Sequence, residues 1–337
     1  MDNILEKRFY PALHENFFQS LDFTNALKKI GWKTTQAESN RSQILGFAPK
    51  SFPVYSELFP RFLVLYGPIF SGDIDSRELD DLLKKLCQGA SKEGAVTLDI
   101  RTPFPHHYCN GVFEENGFHR KIEGGEYSAL TDLSKTEDEL LKNLNQNSRR
   151  CVRRAIKFDV IVKGVEDESD LLNFYNVYAE TGRRRGFYPF PYTFFEVLWK
   201  ELEPKKKVKL FTAYCDEKPS AIILNTFNGE ESVPYIMGSL NEYWKYHPNH
   251  LLVWHSMIWS KDVVGSSFFK LYHLPKKRNF DAEVDYYSFK ASFGGKIFEE
   301  CAFYEKVISN SKNFLSNSMK KILKSFVINR FTRVKPM

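Results

Sequence analysis

Lys290 is the residue whose neighbours best suit it to stabilise a negative charge during a reaction. It lies between Phe289 and Phe293, on a predicted helix that ends at Gly294-Gly295. Aromatic neighbours would partly desolvate the ammonium group and strengthen its field at an oxyanion that develops in a transition state. The alternative is a surface lysine near the carboxyl end of a helix, where the helix dipole also favours a cation.

Three consecutive arginines, Arg183 to Arg185, form a second group with recognisable chemistry. The planar guanidinium fork suits a phosphate or diphosphate. The alternative is a solvated basic end of a helix. Two tyrosines, Tyr188 and Tyr235, follow this run in the chain. Judged from the sequence alone, both tyrosines are predicted to pack in a core.

The charge is distributed unevenly along the chain. Residues 1–139 carry 16 Lys and Arg against 21 Asp and Glu, a net of −5; residues 140–337 carry 32 against 21, a net of +11. The basic second part predicts an anionic partner such as phosphate, nucleic acid or a membrane surface.

Two basic segments carry most of this signal. Residues 142–157 contain six Lys and Arg and no acidic residue, and four arginines follow the spacing of one helical face: Arg149, Arg150, Arg153 and Arg154. Such a face binds nucleic-acid phosphates or is simply solvated. Residues 309–337 contain seven Lys and Arg, no acidic residue and an apolar stripe. This tail predicts a basic amphipathic helix that contacts anionic lipid, or alternatively packs on the first domain.

Several classes of protein are not favoured by the sequence. The five cysteines are widely spaced without a Cys-x-x-Cys pair, which predicts free thiols in a reducing cytoplasm. The pair His247 and His250 has no cysteine or carboxylate neighbour at metal-ligand spacing, so no metal is expected. Neither a signal peptide nor a membrane-spanning segment is predicted.

The pattern of apolar residues predicts an α/β (α+β) protein with two units of similar element order. The predicted domains are residues 1–150 and 151–308, followed by a C-terminal helix in 309–337. Among the expected elements are a hairpin or strand pair over 118–130, one helix that continues to Lys157, a helix over 285–293 and one strand over 298–307.

Several segments, in order, resemble the FemABX family of aminoacyl-tRNA-dependent transferases, which build the interpeptide bridges of bacterial peptidoglycan. The matching pieces are Leu65-Tyr-Gly-Pro68, Thr131–Leu133, Asn147–Ala155, Thr181–Phe187, Tyr235–Ser239, Leu251–Trp254 and Tyr287–Gly295. The resemblance implies two tandem GNAT-type acyltransferase domains, each a mixed sheet flanked by helices. It also implies charged tRNA as co-substrate, with no cofactor, and a nucleotide-linked or lipid-linked peptide precursor as acceptor at the cytoplasmic face of a membrane.

The resemblance also implies roles for particular residues. The family's catalytic lysine falls at Lys290, and its substrate-binding positions fall at Arg184, Tyr188 and Tyr235. Where many members carry an acidic residue and a proline after the third strand, this chain departs and has Arg101. Asp99 would occupy that acidic position only if the family pattern is aligned with this chain in a shifted register. If charged tRNA is the co-substrate, the four arginines of residues 142–157 are the candidates to contact its phosphates.

Two other functions remain open at this stage. One is an acyl-CoA-dependent N-acyltransferase on the same fold. The CoA loop pattern matches Gln43–Ala48 by letter, but an expected strand covers that segment and Pro49 follows it. The other is a protein that binds tRNA or lipid without catalysis.

Overall fold

The fold is described from a computed structural model of the chain. The description covers residues 16–50, 53–109, 111–121, 127–274 and 286–319. The predicted α/β architecture is confirmed, because two seven-stranded mixed sheets carry helices against them.

The strands of the first sheet are β1 Lys33–Glu38, β2 Ser42–Ala48, β3 Arg61–Leu65, β4 Ile69–Phe70, β5 Thr97–Arg101, β6 His119–Lys121 and β14 Phe303–Val307. They follow the order β1-β2-β3-β5-β14-β6 across the sheet, with β4 paired to β2. The second sheet has the order β13-β7-β12-β11-β10-β9-β8. Its strands are β7 Tyr127–Asp132, β8 Ile161–Gly164, β9 Val208–Cys215, β10 Lys218–Asn228, β11 Glu231–Ser239, β12 Phe268–Leu274 and β13 Lys296–Glu299.

The helices lie between these strands in the chain. They are α1 Leu21–Lys29, α2 Pro53–Leu58, α3 Ser76–Lys92, α4 Val112–Glu115, α5 Glu137–Asn143, α6 Gln146–Lys157, α7 Glu168–Arg185, α8 Tyr192–Leu202, α9 Pro248–Trp259, α10 Tyr286–Ala291 and α11 at 310–319. A short 3₁₀ segment, Asn241–Tyr246, precedes α9.

The two sheets exchange strands across the predicted domain boundary at residue 150. Strand β7 precedes that boundary but pairs with β12 and β13 of the second sheet. Strand β14 follows the second sheet in the chain but lies between β5 and β6 of the first. The division into residues 1–150 and 151–308 stays a prediction, and neither range contains all strands of one sheet.

Two local predictions are wrong, and a third is correct in only one of its two alternatives. Over 118–130 the structure has two strands, β6 and β7, but they do not form a hairpin because they belong to different sheets. The helix predicted to continue to Lys157 is broken, because Leu144 and Asn145 are extended and the Asn145 side chain accepts from the Ser148 N–H to start α6. The strand predicted over 298–307 divides into β13 and β14, one in each sheet.

Aromatic residues join the two sheets. The Tyr66 ring, directly after β3, stacks on the Tyr272 ring of β12 with centroids 4.5 Å apart. The Trp32 ring stacks on the Phe194 ring of α8 at 5.2 Å. These rings are buried in one continuous apolar cluster, so the first sheet and the second are held in a fixed relation where β3 and β12 meet.

A buried ionic group fixes the crossover between the sheets. The Lys270 ammonium of β12 lies 2.6 Å from the Glu231 carboxylate and 2.7 Å from that of Glu300, and all three side chains are at most 2% exposed. Burial raises the pKa of Glu231 despite the attraction of Lys270. Two carboxyl groups around one ammonium tie β11, β12 and the residue after β13 together.

Within the residues described, no helix is both long enough and apolar enough to cross a bilayer.

Candidate active site

A cavity of about 540 Å³ opens where β11 and β12 separate. These parallel strands pair at Glu231–Phe268 and Ser232–Phe269, near their beginnings. Farther along, Tyr235 of β11 and His273 of β12 both line the cavity. The remaining wall comes from the end of α7, the start of α9 and α10, so the site lies at the carboxyl ends of parallel strands, a common place for ligands in α/β folds.

The helix that carries Lys290 is fixed by contacts with the break between α5 and α6. The Asn145 N–H donates to the Ser292 carbonyl at 2.9 Å, and the Ser148 and Ser292 hydroxyls are 2.6 Å apart. After α10 the chain passes close to β7 in a left-handed conformation, with φ of +93° at Gly295. A Cβ at Gly295 would lie 2.7 Å from the Leu130 carbonyl oxygen, so glycine is required there.

Lys290 faces the cavity from α10. Its ammonium donates to the Tyr272 carbonyl and lies 3.5 Å from the His273 carbonyl. Burial, with a smaller contribution from the Arg101 charge, lowers the pKa of Lys290 to about 8. The side chain is therefore mainly protonated at neutral pH, and it is a cation held at a defined point of the wall.

Arg101, at the end of β5, reaches the cavity through His273. The Arg101 Nη1 donates to the His273 Nε2 at 2.5 Å. Because a guanidinium only donates, that nitrogen is the acceptor and the imidazole proton lies on Nδ1. Burial, then the charges of Arg101 and Lys290, lower the pKa of His273 well below its ordinary value. The guanidinium lies over the Phe303 ring at 4.4 Å, and its Nε has no hydrogen-bond partner among the described residues.

Arg184 and Arg185 present unused donors at the cavity. The Arg184 Nη2 donates to the Ser239 carbonyl at 3.0 Å, and its guanidinium lies 5.4 Å from the centre of the Trp244 ring. Its Nε and Nη1, like the Nε of Arg185, are buried without a hydrogen-bond partner in the described part of the chain. Buried donors of this kind are normally satisfied. No Asp or Glu is among the described lining residues, so the cavity is suited to an anionic ligand.

Comparison with known proteins agrees with this architecture. A family model described as an acetyltransferase (GNAT) domain matches residues 141–262. The chain is 31% identical over 227 residues to the Lipid II:glycine glycyltransferase of two strains of Staphylococcus epidermidis. This similarity supports the predicted resemblance to the FemABX family. The match covers 63% of this chain and 53% of the relatives, so the chain spans about half the length of the curated relatives it matches.

Solved structures confirm the predicted tandem GNAT fold. The crystal structure of FemX superposes with a TM-score of 0.66 at 17% identity, over 91% of this chain and 96% of FemX. A tandem GNAT protein from the clavulanic acid biosynthesis pathway has a TM-score of 0.56 at 10% identity, over 86% of this chain and 88% of that protein. At these identities the likeness concerns the fold alone.

The substrate positions implied by the FemABX resemblance divide into two groups. Lys290, Arg184 and Tyr235 line the cavity, and Arg101 contacts a lining residue. The Tyr235 ring packs on the Phe18 ring at 4.5 Å, and burial raises the pKa of its hydroxyl.

Tyr188 and Asp99 lie outside the group of lining residues. Tyr188 is 53% exposed in the segment after α7. Asp99 lies in the first sheet, where its carboxylate is 3.1 Å from Arg61 and 3.7 Å from Lys121. Burial raises the pKa of Asp99. The substrate roles of both residues stay predictions.

The four arginines of α6 are not equivalent. The Arg149 guanidinium donates to the carbonyls of Lys142 and Leu144, each at 2.6 Å, and so satisfies the end of α5. Arg150, Arg153 and Arg154 are exposed. Cys151 and other residues of the opposite face are buried.

Sequence reasoning missed several residues of the cavity. They are Arg185, Ser239, Trp244, Asn249, His273 and Phe289. Arg185 belonged to the noted arginine run, and Ser239 and Phe289 belonged to the family motifs, but Trp244, Asn249 and His273 lie near strand ends and helix starts that no motif marks. His247 and His250 were noted as a pair; the fold adds Cys151, and these are the described residues that could hold a metal ion.

Proposed function

We propose that the chain is an aminoacyltransferase that joins an amino acid to an amine of a peptidoglycan-type precursor peptide. The observation that carries this proposal is the protonated Lys290 in a cavity lined by arginines and by no described carboxylate. The relatives named Lipid II:glycine glycyltransferase support the substrate class.

The proposed reaction needs positioning and charge stabilisation more than acid–base groups. The acceptor amine attacks the ester carbonyl of the aminoacyl donor, and the carbonyl oxygen becomes an oxyanion. The Lys290 ammonium stabilises that charge. The N–C bond forms, the ester C–O bond breaks, and the leaving ribose oxygen receives the proton lost by the amine. A substrate phosphate or water relays this proton; Asp285, the other candidate from the sequence, lies outside the described residues.

Charged tRNA is the donor we favour. Two of the exposed arginines of α6, Arg150 and Arg154, lie near the cavity, since their charges act on His247 of the cavity wall. A backbone phosphate bound on α6 would therefore lie near the acyl end of the same molecule.

Acyl-CoA is the less supported donor. The CoA diphosphate typically binds free backbone N–H groups at a helix start. Here residues 241–246 form a 3₁₀ turn, in which the Tyr243 and His247 N–H groups already donate to carbonyls, and Pro248 begins α9. The Gln43–Ala48 match lies within β2.

The acceptor side of the proposal rests on Arg184, Arg185 and the C-terminal helix. The unpartnered guanidinium nitrogens suit the diphosphate of a nucleotide-linked or lipid-linked precursor. On α11, Phe314 is 73% and Leu315 is 55% exposed. An exposed apolar pair near the exposed Lys312 supports peripheral contact with an anionic membrane; residues 320–337 of the tail lie outside the described residues.

The deciding experiment is aminoacyl transfer from a pool of charged tRNAs to precursor peptides, read by mass spectrometry. Lys290→Ala is expected to lower kcat by roughly 100-fold or more, as for loss of one oxyanion donor. Lys296→Ala, an exposed lysine six residues on, is the control and is expected to keep parent activity.

Three outcomes would separate the candidate functions. Equal rates for Lys290→Ala and the parent would remove Lys290 from the mechanism. Turnover with acetyl-CoA and none with any charged tRNA would favour the acyl-CoA enzyme. Binding of tRNA or lipid with no transfer from either donor would favour a non-catalytic protein.

A further inference from the structure

Three potential metal ligands, one on α6 and two at the start of α9, come together beside the cavity. The Cys151 thiol of α6 and the imidazoles of His247 and His250 each offer one atom, and these atoms all lie within 4.8 Å of one another. Cys151 is buried, while both histidines line the cavity. The Nε2 of His247 is buried and has no hydrogen-bond partner among the described residues.

From this geometry we propose that Cys151, His247 and His250 bind a soft divalent cation of the Zn²⁺ class. Thiolate and imidazole are the ligands that Zn²⁺ prefers. Zinc–sulfur and zinc–nitrogen distances of about 2.3 and 2.0 Å require ligand atoms roughly 3.5 Å apart in a tetrahedron. Side-chain rotations that bring the three atoms closer by about 1 Å complete such a set.

The fourth ligand position faces the cavity. Cys151 approaches from the buried side, and the two histidines are on the cavity wall. A water molecule, or an anionic oxygen of a ligand in the cavity, would therefore complete the coordination. Three protein ligands with one open position are typical of zinc sites that exchange a ligand.

Nearby positive charge limits the affinity. Arg150 and Arg154 act electrostatically on His247, and the amino end of α9 lies at the same place. The Cys151 thiolate supplies one negative charge against them. We therefore expect binding weaker than at a closed structural zinc site, and sensitive to salt.

The test uses the full chain, freed of metal by dialysis against a chelator and titrated with Co²⁺ and Zn²⁺. One equivalent of Co²⁺ should bind and give the near-ultraviolet sulfur-to-cobalt charge-transfer band of a thiolate complex. Cys151→Ser should abolish that band. His250→Asn should weaken Zn²⁺ binding by at least about 10-fold, since even changes behind the ligands cost roughly that much.

Matched controls are Cys215→Ser, a buried cysteine of β9, and His255→Asn, on α9 beyond the cluster. Both controls should bind Co²⁺ as the parent does. Thermal unfolding without metal checks that each variant folds, and His247→Ala, at a partly exposed side chain, serves if Cys151→Ser does not fold. The proposal is overturned if the parent shows no thiolate band, or if the band persists in Cys151→Ser. These readouts do not depend on aminoacyl transfer.

Discussion

At the residue scale, the charge of Lys290 is the feature on which the proposed reaction depends. A lysine that donates to two successive carbonyls is held in one orientation. Its lowered pKa follows from burial and from the Arg101 guanidinium. Because that pKa is about 8, the protonation of Lys290 is sensitive to pH just above neutrality.

This leads to a pH prediction. Because the protonated form stabilises the oxyanion, kcat is expected to fall as pH rises through about 8, the lowered pKa of Lys290. Arg101→Met removes a positive neighbour, so it should move the fall to higher pH. Both profiles are measured by initial rates, with folding checked by circular dichroism at each pH. A rate that instead increases through pH 8 would mean that neutral Lys290 acts as a base.

Two adjacent arginines offer a matched comparison. Arg184 lies at the cavity with donors that have no partner among the described residues, whereas Arg183 is 62% exposed and is paired with Glu180. Arg184→Met is expected to raise the KM for the anionic precursor by roughly 10- to 100-fold, the size of a lost charge-assisted hydrogen bond. Arg183→Met should leave KM within about twofold, since exposed ion pairs contribute little. Equal effects of the two substitutions would contradict a specific role for Arg184.

At the element scale, α6 separates a structural face from a binding face. Its buried face contacts α9, and Arg149 satisfies the carbonyls at the end of α5. The exposed arginines make no such contact with those carbonyls. A substitution at Arg149 would therefore mix folding and binding effects, and a test of binding must leave Arg149 in place.

For α6 we predict a salt-dependent tRNA affinity. Replacing Arg150, Arg153 and Arg154 by glutamine should weaken tRNA binding, and should lower the slope of log affinity against log salt by roughly 0.7–0.9 per lost phosphate contact. Filter binding at several salt concentrations measures this. The control is glutamine at Lys84 and Lys85 of α3, exposed lysines paired with Asp80 and Asp81. An unchanged slope in the triple variant would exclude α6 from the tRNA interface.

At the scale of the whole molecule, the exchanged strands make the two sheets depend on each other. Strand β14 pairs with both β5 and β6, so its removal exposes two strands of the first sheet. The aromatic stack of Tyr66 on Tyr272 adds a contact across the sheets, and the Lys270 ion group holds the start of the connection from β13 to β14 against the second sheet. Cooperative unfolding of both sheets together follows from this arrangement.

Two truncations test this dependence. A chain that ends after Ile308 keeps β14, and we expect it to unfold in one cooperative thermal transition. A chain that ends after Glu300 lacks β14, and we expect loss of that transition because the hydrogen-bonding edges of β5 and β6 that pair with β14 are uncovered.

The chain that ends after Ile308 also tests membrane contact. It lacks residues 309–337, so it should float less with anionic liposomes than the parent. Unchanged flotation would contradict membrane contact through the tail.

The sequence by itself determined the elements whose signals are local. The helix of Lys290 with its glycine end depends on neighbours within a few residues. Family motifs in the right order were enough for the tandem fold. They also selected Lys290, Arg184 and Tyr235, which share one cavity.

Only the tertiary structure decided which distant residues meet. The periodicity of a strand does not say which sheet it joins, so the positions of β7 and β14 were not predicted. Metal-ligand spacing rules compare residues that are close in the chain. They could not predict that Cys151 lies near His247, because this proximity depends on the contact of α6 with α9. The unpartnered donors of Arg184 and Arg185 likewise depend on which groups pack around them. Contacts between segments far apart in the chain form through packing of the whole core, and no local pattern records them.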